Sequence, residues 1–295
     1  MRQENRHRNT KKDPDGLSDF FSSRSKIPWD KSKEEVWNDL EAALLKEDQV
    51  RVQVRSLHPN RHWLALAASL VLLLAVSTFI RFYTVNTYCP EGVHTSVQLP
   101  DGSSVELNAA THLSYRPYWW FMSRKVKLEG EAFFTVEKGN RFRVASSAAI
   151  TEVLGTSFNV FARGSDHIVT CHTGSVRVSE ARGGTAVTLI PNERSVLDPS
   201  GGFTVSSLED LPESPGWTDN MIMFSSAPLR LVFDEIERQF GIVIESPAVM
   251  TQIYSGNFSL DQPVENILSL LCLPFDLAYE RQSGNKYRVY PSEGS

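Results

Sequence analysis

The sequence predicts a multidomain fold. It comprises a short helical cytoplasmic segment, one transmembrane helix, an antiparallel β-sandwich or jelly-roll-like domain, and a small α/β domain of two βαβ units. Three observations predict this. Residues 63–80 carry no charge; short alternating segments follow them; the period then turns helical twice, 35 residues apart. A chain of 295 residues is long enough for about two domains. The net charge of −5 argues against a general nucleic-acid binder, and three cysteines are too few for a disulfide scaffold. Charge is unevenly spread: residues 1–62 hold 13 Lys/Arg and 11 Asp/Glu, whereas residues 81–295 hold 17 and 24.

In residues 1–62 the first 16 read as a disordered polar tail. Ser32-Lys33-Glu34-Glu35 then fits a capping box, and Val36, Trp37, Leu40 and Leu44 recur at helical spacing. Some 60 residues cannot bury such a face in a core of their own. One outcome is a helix lying on the membrane or on a local cluster of Phe20, Phe21, Ile27 and Trp29; the other is a helix that fills a partner's groove. A membrane-surface helix is rich in Lys/Arg on its polar face, but this one carries Glu34, Glu35, Asp39, Glu41 and Glu47. That favours the partner.

Trp63 to Ile80 (WLALAASLVLLLAVSTFI) would span about 27 Å as a helix, close to the thickness of a bilayer core. A buried core helix would rarely lack charge for five turns. A signal peptide would begin nearer the first residue and end in a small-residue cleavage site, which Phe79-Ile80-Arg81-Phe82-Tyr83 does not offer. A lipid anchor on Cys89 lies too far from the apolar run. Arg51, Arg55 and Arg61 precede the span and Arg81 stands alone after it, so residues 1–62 should face the cytoplasm.

Beyond the span, Val97/Leu99 and Val105/Leu107 alternate around Pro100-Asp101-Gly102, the mark of a hairpin. Ala132/Phe134/Val136, Phe142/Val144, Val169/Cys171 and Val176/Val178 extend the pattern, and Gly139-Asn140, Gly183-Gly184 and Gly201-Gly202 mark turns. Many short strands at this spacing predict the β domain, residues 94–206. After Trp217 a strand-like segment precedes Pro228, then Leu229, Val232, Phe233, Ile236 and Phe240 follow at helical spacing, and Gly241 closes the run. The arrangement repeats around Pro263 with Val264, Ile267, Leu268 and Leu271, and Lys286–Tyr290 adds a last strand to a domain of residues 217–292. Cys171 and Cys272 read as buried single thiols.

Metal, phosphate-loop and nucleophile-elbow motifs are missing, and His167 and His172 should face opposite sides of a strand. No enzyme activity, metal or cofactor is expected.

Residues 97–115 (VQLPDGSSVELNAATHLSY), 126–136 (VKLEGEAFFTV) and 153–160 (VLGTSFNV) resemble the periplasmic FecR domain of membrane-bound anti-sigma factors. Trp217 through Tyr290 is similar to the C-terminal domain of that family, which resembles the short N-terminal modules of secretins and TonB-dependent receptors. The resemblance implies an inner-membrane, single-pass regulator with its N-terminus in the cytoplasm and its C-terminal region in the periplasm. It would relay a signal from an outer-membrane TonB-dependent transducer to an extracytoplasmic-function sigma factor, with no direct contact to nucleic acid. The sensed nutrient, an iron chelate or a glycan, would not touch this chain. The rival from another class is a membrane-anchored envelope structural or ligand-binding protein.

Three sets of site residues follow. Trp29, Val36, Trp37, Leu40 and Leu44 would bind the sigma factor. Lys286, Tyr287, Arg288, Val289 and Tyr290, read as an open strand, would receive the transducer's signalling domain. Some FecR-like proteins cut themselves at a Gly-Thr bond, and the resemblance places that pair at Gly155-Thr156; the alternative is a bulge at Gly155 with Thr156 as an ordinary strand residue.

Overall fold

The computed structural model describes residues 30–47, 61–209, 211–247 and 250–292. The polar tail, the Phe20/Phe21/Ile27/Trp29 cluster, Arg51 and Arg55 lie outside the described residues. The chain divides into two compact units, residues 1–65 and 66–295.

In the first unit, helix α1 (Lys33–Glu47) starts with the expected box: Ser32 N–H donates to Glu35 Oε2 at 2.8 Å, and Glu35 N–H donates to Ser32 Oγ at 3.3 Å. Helix α2 (Arg61–Phe82) runs two residues past the expected span at each end and buries nothing in the protein. Its most apolar window has a mean hydropathy of 2.4, so by length and composition it suits a bilayer. Ser69 and Thr78 donate to the carbonyls of Leu66 and Leu74, which satisfies both hydroxyls inside the helix.

Thirteen strands build the β domain. They are β1 (Val85–Cys89), β2 (Thr95–Gln98), β3 (Ser104–Leu107), β4 (Thr111–Tyr115), β5 (Arg124–Thr135), β6 (Phe142–Ala145), β7 (Ala149–Val153), β8 (Ser157–Arg163), β9 (Asp166–Cys171), β10 (Val176–Glu180), β11 (Ala186–Leu189), β12 (Glu193–Leu197) and β13 (Phe203–Ser207). They form two sheets, β1-β4-β5-β6-β7-β10-β11 and β2-β3-β5-β8-β9-β12-β13, which share β5. The switch falls at Gly130, whose φ is +123°. A Cβ there would meet Thr111 at 2.5–2.8 Å, so only glycine lets the strand turn from one sheet into the other. Residues of both sheets meet in one core around Phe134, which stacks on Phe158 at 5.1 Å, and Phe142.

The expected all-antiparallel order needs one correction: β5 and β6 are parallel, Arg124 opposite Phe142. A straight twelve-residue strand would be about 40 Å long. The seven steps from Thr135 to Phe142 reach at most about 25 Å. Because β5 bends at Gly130, the chain can return beside its own beginning.

The C-terminal module contains β14 (Met221–Pro228), α3 (Leu229–Phe240), β15 (Val243–Glu245), β16 (Ile253–Ser259), α4 (Val264–Cys272), β17 (Leu277–Ser283) and β18 (Lys286–Pro291). Pro228 and Pro263 precede the helices and Gly241 caps α3 at φ +60°, as the sequence suggests. The element order matches two βαβ units, but the pairing does not. β14 joins β16 antiparallel, while β15, β18 and β17 form a separate sheet. Phe224 holds the first pair by ring contacts to Tyr254 and Phe258 across the strands, both at 6.3 Å. Each helix therefore links two sheets and is not a crossover within one. Both helices share a core with Phe258, Tyr287 and Val289.

Candidate functional site

The structure places the expected site residues in separate surroundings. Trp29 lies outside the described residues. On α1, Trp37 is 68 % exposed, and Val36, Leu40 and Leu44 are exposed beside it. An apolar stripe thus stands in solvent on a capped helix.

Lys286–Tyr290 is not an open strand. β18 is the centre of its sheet, paired parallel with β15 and antiparallel with β17. Lys286–Arg288 is paired on both sides, so strand addition there is corrected; Val289 and Tyr290 pair with β17 alone, and the sheet's edges are β15 and β17. Tyr287 and Val289 face the core, each 2 % exposed, while Lys286, Arg288 and Tyr290 point outward.

Gly155 and Thr156 form the passage from β7 to β8, between the two sheets. Gly155 has φ +157°, and a Cβ would come within 2.9 Å of Lys138 Cα. Thr156 is buried and its hydroxyl has no hydrogen-bond partner, although its carbonyl accepts from Val136 N–H at 2.9 Å. A cleft of about 560 Å³ opens there, lined in part by Lys138, Arg141 and Arg177.

The sequence reading missed the joint between the β domain and the C-terminal module. At its centre is Glu131 of β5, next to the Gly130 corner. Asn108 Nδ2 and Asn159 Nδ2 each donate to its carboxylate at 2.8 Å. Gln239 of α3 donates to Asn108 Oδ1 at 2.6 Å and to Glu235 Oε1 at 2.7 Å, and Arg238 pairs with Glu235 at 2.6 Å. His94 Nε2 meets Gln239 Oε1 at 2.9 Å. Arg163 donates to the carbonyls of Ala109 and Ala110. Gly92 N–H donates to Arg238 O at 2.8 Å, satisfying a carbonyl in the last turn of α3 from the β domain. A cleft of about 540 Å³ runs beside this chain, with Arg194, His172 and Trp217 among its walls.

The residue Glu131 is only partly buried, but its carboxyl group is enclosed. Burial holds its pKa above the usual carboxylate range and the nearby Glu235 adds to that; hydrogen bonds from Asn159 and Asn108 and the charge of Arg163 oppose them. Burial likewise pushes His172 down, while its ring Nδ1 contacts Pro212 O at 2.8 Å. A sequence signal for the joint did exist. Ala132, Phe133 and Phe134 are all buried, which breaks the alternation and marks a strand covered on both faces.

The FecR protein family model matches residues 84–177, and the FecR C-terminal model matches residues 221–289. Together they cover more than half of the chain. The chain belongs to the FecR family. No curated protein matches it. Two crystal structures of a candidate anti-sigma factor from Parabacteroides distasonis ATCC 8503, at 2.50 and 1.65 Å resolution, are similar to it at 28 % identity and a TM-score of 0.64. The matches cover 71 % and 70 % of this chain and 99 % of those chains. The FecR model ends within β10, and the joint connects the matched FecR domain to the FecR C-terminal module.

Because Glu131 has a higher pKa folded than unfolded, it binds a proton more tightly in the native state. Its contribution to stability should be greatest below the unfolded value, about 4.3, and should fall as pH rises through the higher native value. Urea unfolding of the full chain in detergent between pH 5 and 7 should therefore show a wild-type gain on acidification that is reduced in Glu131→Gln. Equal pH slopes in the two proteins would mean that Glu131 is not perturbed.

Proposed function

We propose that this FecR-family protein is a single-pass inner-membrane anti-sigma regulator that relays a signal from an outer-membrane TonB-dependent transducer to an extracytoplasmic-function sigma factor. Residues 1–62 face the cytoplasm, α2 crosses the membrane, and the FecR domain and C-terminal module lie in the periplasm. The observation that carries this reading is α1, a capped helix whose Val36, Trp37, Leu40 and Leu44 are exposed on a chain that continues into a helix fit to span a bilayer. The similarity to a candidate anti-sigma factor supports it. Trp29 keeps its place in this reading as a sigma-binding residue on the sequence alone.

The transducer's signalling domain docks on residues 217–292. The outward side chains of Lys286, Arg288 and Tyr290 offer two cations and a ring, with Tyr287 and Val289 anchoring the strand beneath, and the edges of β15 and β17 remain for strand pairing. The alternative, a membrane-anchored structural or ligand-binding envelope protein, gives α1 no groove to fill. Buried apolar anchors of this kind contribute about 2 kcal/mol or more each to binding. Trp37→Asp with Leu40→Asp in the full chain should weaken capture of the sigma factor by about a hundredfold or more. Unchanged capture would favour the alternative.

The Gly155-Thr156 pair supports a second activity in the same protein, self-cleavage. Thr156 Oγ attacks the carbonyl carbon of Gly155, the peptide C–N bond breaks, and the acyl group moves to oxygen, freeing the Thr156 amine; water then hydrolyses the ester. The buried, unpartnered hydroxyl and the crowded Gly155 backbone favour this. Mass spectrometry of the purified protein should find a fragment beginning at Thr156, absent in Thr156→Ala and largely kept in Thr156→Ser. A wild-type chain that stays whole on prolonged incubation would refute it.

A further inference from the structure

Between β4 and β5 the chain reads Arg116-Pro117-Tyr118-Trp119-Trp120-Phe121-Met122-Ser123. Trp120 is drawn into the core, 5 % exposed, with Tyr115 and Phe142 rings each 5.8 Å away. Anchored by that residue, its neighbours turn outward: Tyr118 is 52 % exposed, Met122 64 % and Phe121 77 %. Contiguous apolar surface of this kind on a loop tip marks an interaction site.

The loop lies against one end of α2. The Tyr118 ring is 5.3 Å from Tyr83 and 6.1 Å from Phe79, and the Arg81 guanidinium sits 4.4 Å from the Trp119 ring. Arg116 lies 5.8 Å over the Phe82 ring. Phe79 belongs to the charge-free stretch and Arg81 ends it, so the loop meets α2 where hydrocarbon gives way to headgroups. Tryptophan and tyrosine rings favour that level, and arginines beside them reach lipid phosphates.

We propose that Tyr118, Trp119, Phe121 and Met122 form a foot by which the FecR domain rests in the headgroup–acyl boundary of a phospholipid bilayer beside α2. The inference rests on the reading that α2 spans the membrane. The occupant is lipid because the loop continues the surface of the helix at its interfacial end, with both signatures of that zone, aromatic rings and arginine, in one place. The foot fixes which side of the β domain faces the membrane.

The full chain, reconstituted in phosphatidylethanolamine–phosphatidylglycerol vesicles, tests this with an environment-sensitive NBD label at Leu72→Cys, Phe121→Cys or Ser200→Cys. The unsubstituted chain gives the background from Cys89, Cys171 and Cys272, which are free and buried. Phe121 and Ser200 are exposed, so neither change removes core packing. The label at 121 should emit to the blue of that at 200 and be quenched at least twice as strongly by doxyl-labelled lipid, as should the label at 72. Quenching at 72 with 121 no different from 200 overturns the foot and leaves the span standing. A blue shift at 121 without lipid quenching also overturns it, since protein, such as a second copy, then covers the loop. No quenching at 72 overturns the span and the foot with it.

Discussion

The enclosed carboxylate of Glu131 is the constraint around which the part of this FecR-family protein that follows α2 is arranged. A carboxyl group removed from water is costly unless its acceptors are filled. Here Asn108 and Asn159 fill them, and Asn108 in turn engages Gln239 of α3. Each hydrogen bond adds only about 1 kcal/mol net, whereas a buried group left without its partner costs about 1–3 kcal/mol. The chain of donors and acceptors therefore does less to strengthen the joint than to permit one register for α3 against the β domain.

Glu131 also sits at a mechanical position. One residue earlier, Gly130 lets β5 pass from one sheet to the other, and Arg124 at its start follows the aromatic loop that touches α2. A single strand thus connects the joint with α3, the shared core and the loop that touches α2. This is contiguity along one element.

Much of this was legible because it is local. The capping box at Ser32–Glu35, the charge-free helix, the Asp-Gly hairpin and the proline-to-glycine limits of α3 all follow from short-range chemistry. The pairing of strands was not, because it is decided by distant partners. Lys286, Arg288 and Tyr290 alternate with buried Tyr287 and Val289 as an edge strand would, yet a central strand of a one-sided sheet alternates in the same way. Likewise Glu235 and Gln239 are polar residues spaced to share a helix face, which reads as solvated until the enclosed carboxyl group of Glu131 and the buried Asn108 stand opposite them. The unbroken Ala132-Phe133-Phe134 run was the one trace of that face.

Hydrogen–deuterium exchange on the full chain in detergent, wild type against Asn108→Ala, tests the central claim most directly, that the polar joint binds the C-terminal module to the FecR domain. The account expects protection to fall together in α3 and in the loop residues 90–94 and 108–110, with the strands of both cores unchanged. Faster exchange confined to the neighbourhood of residue 108, with α3 as protected as before, would contradict it.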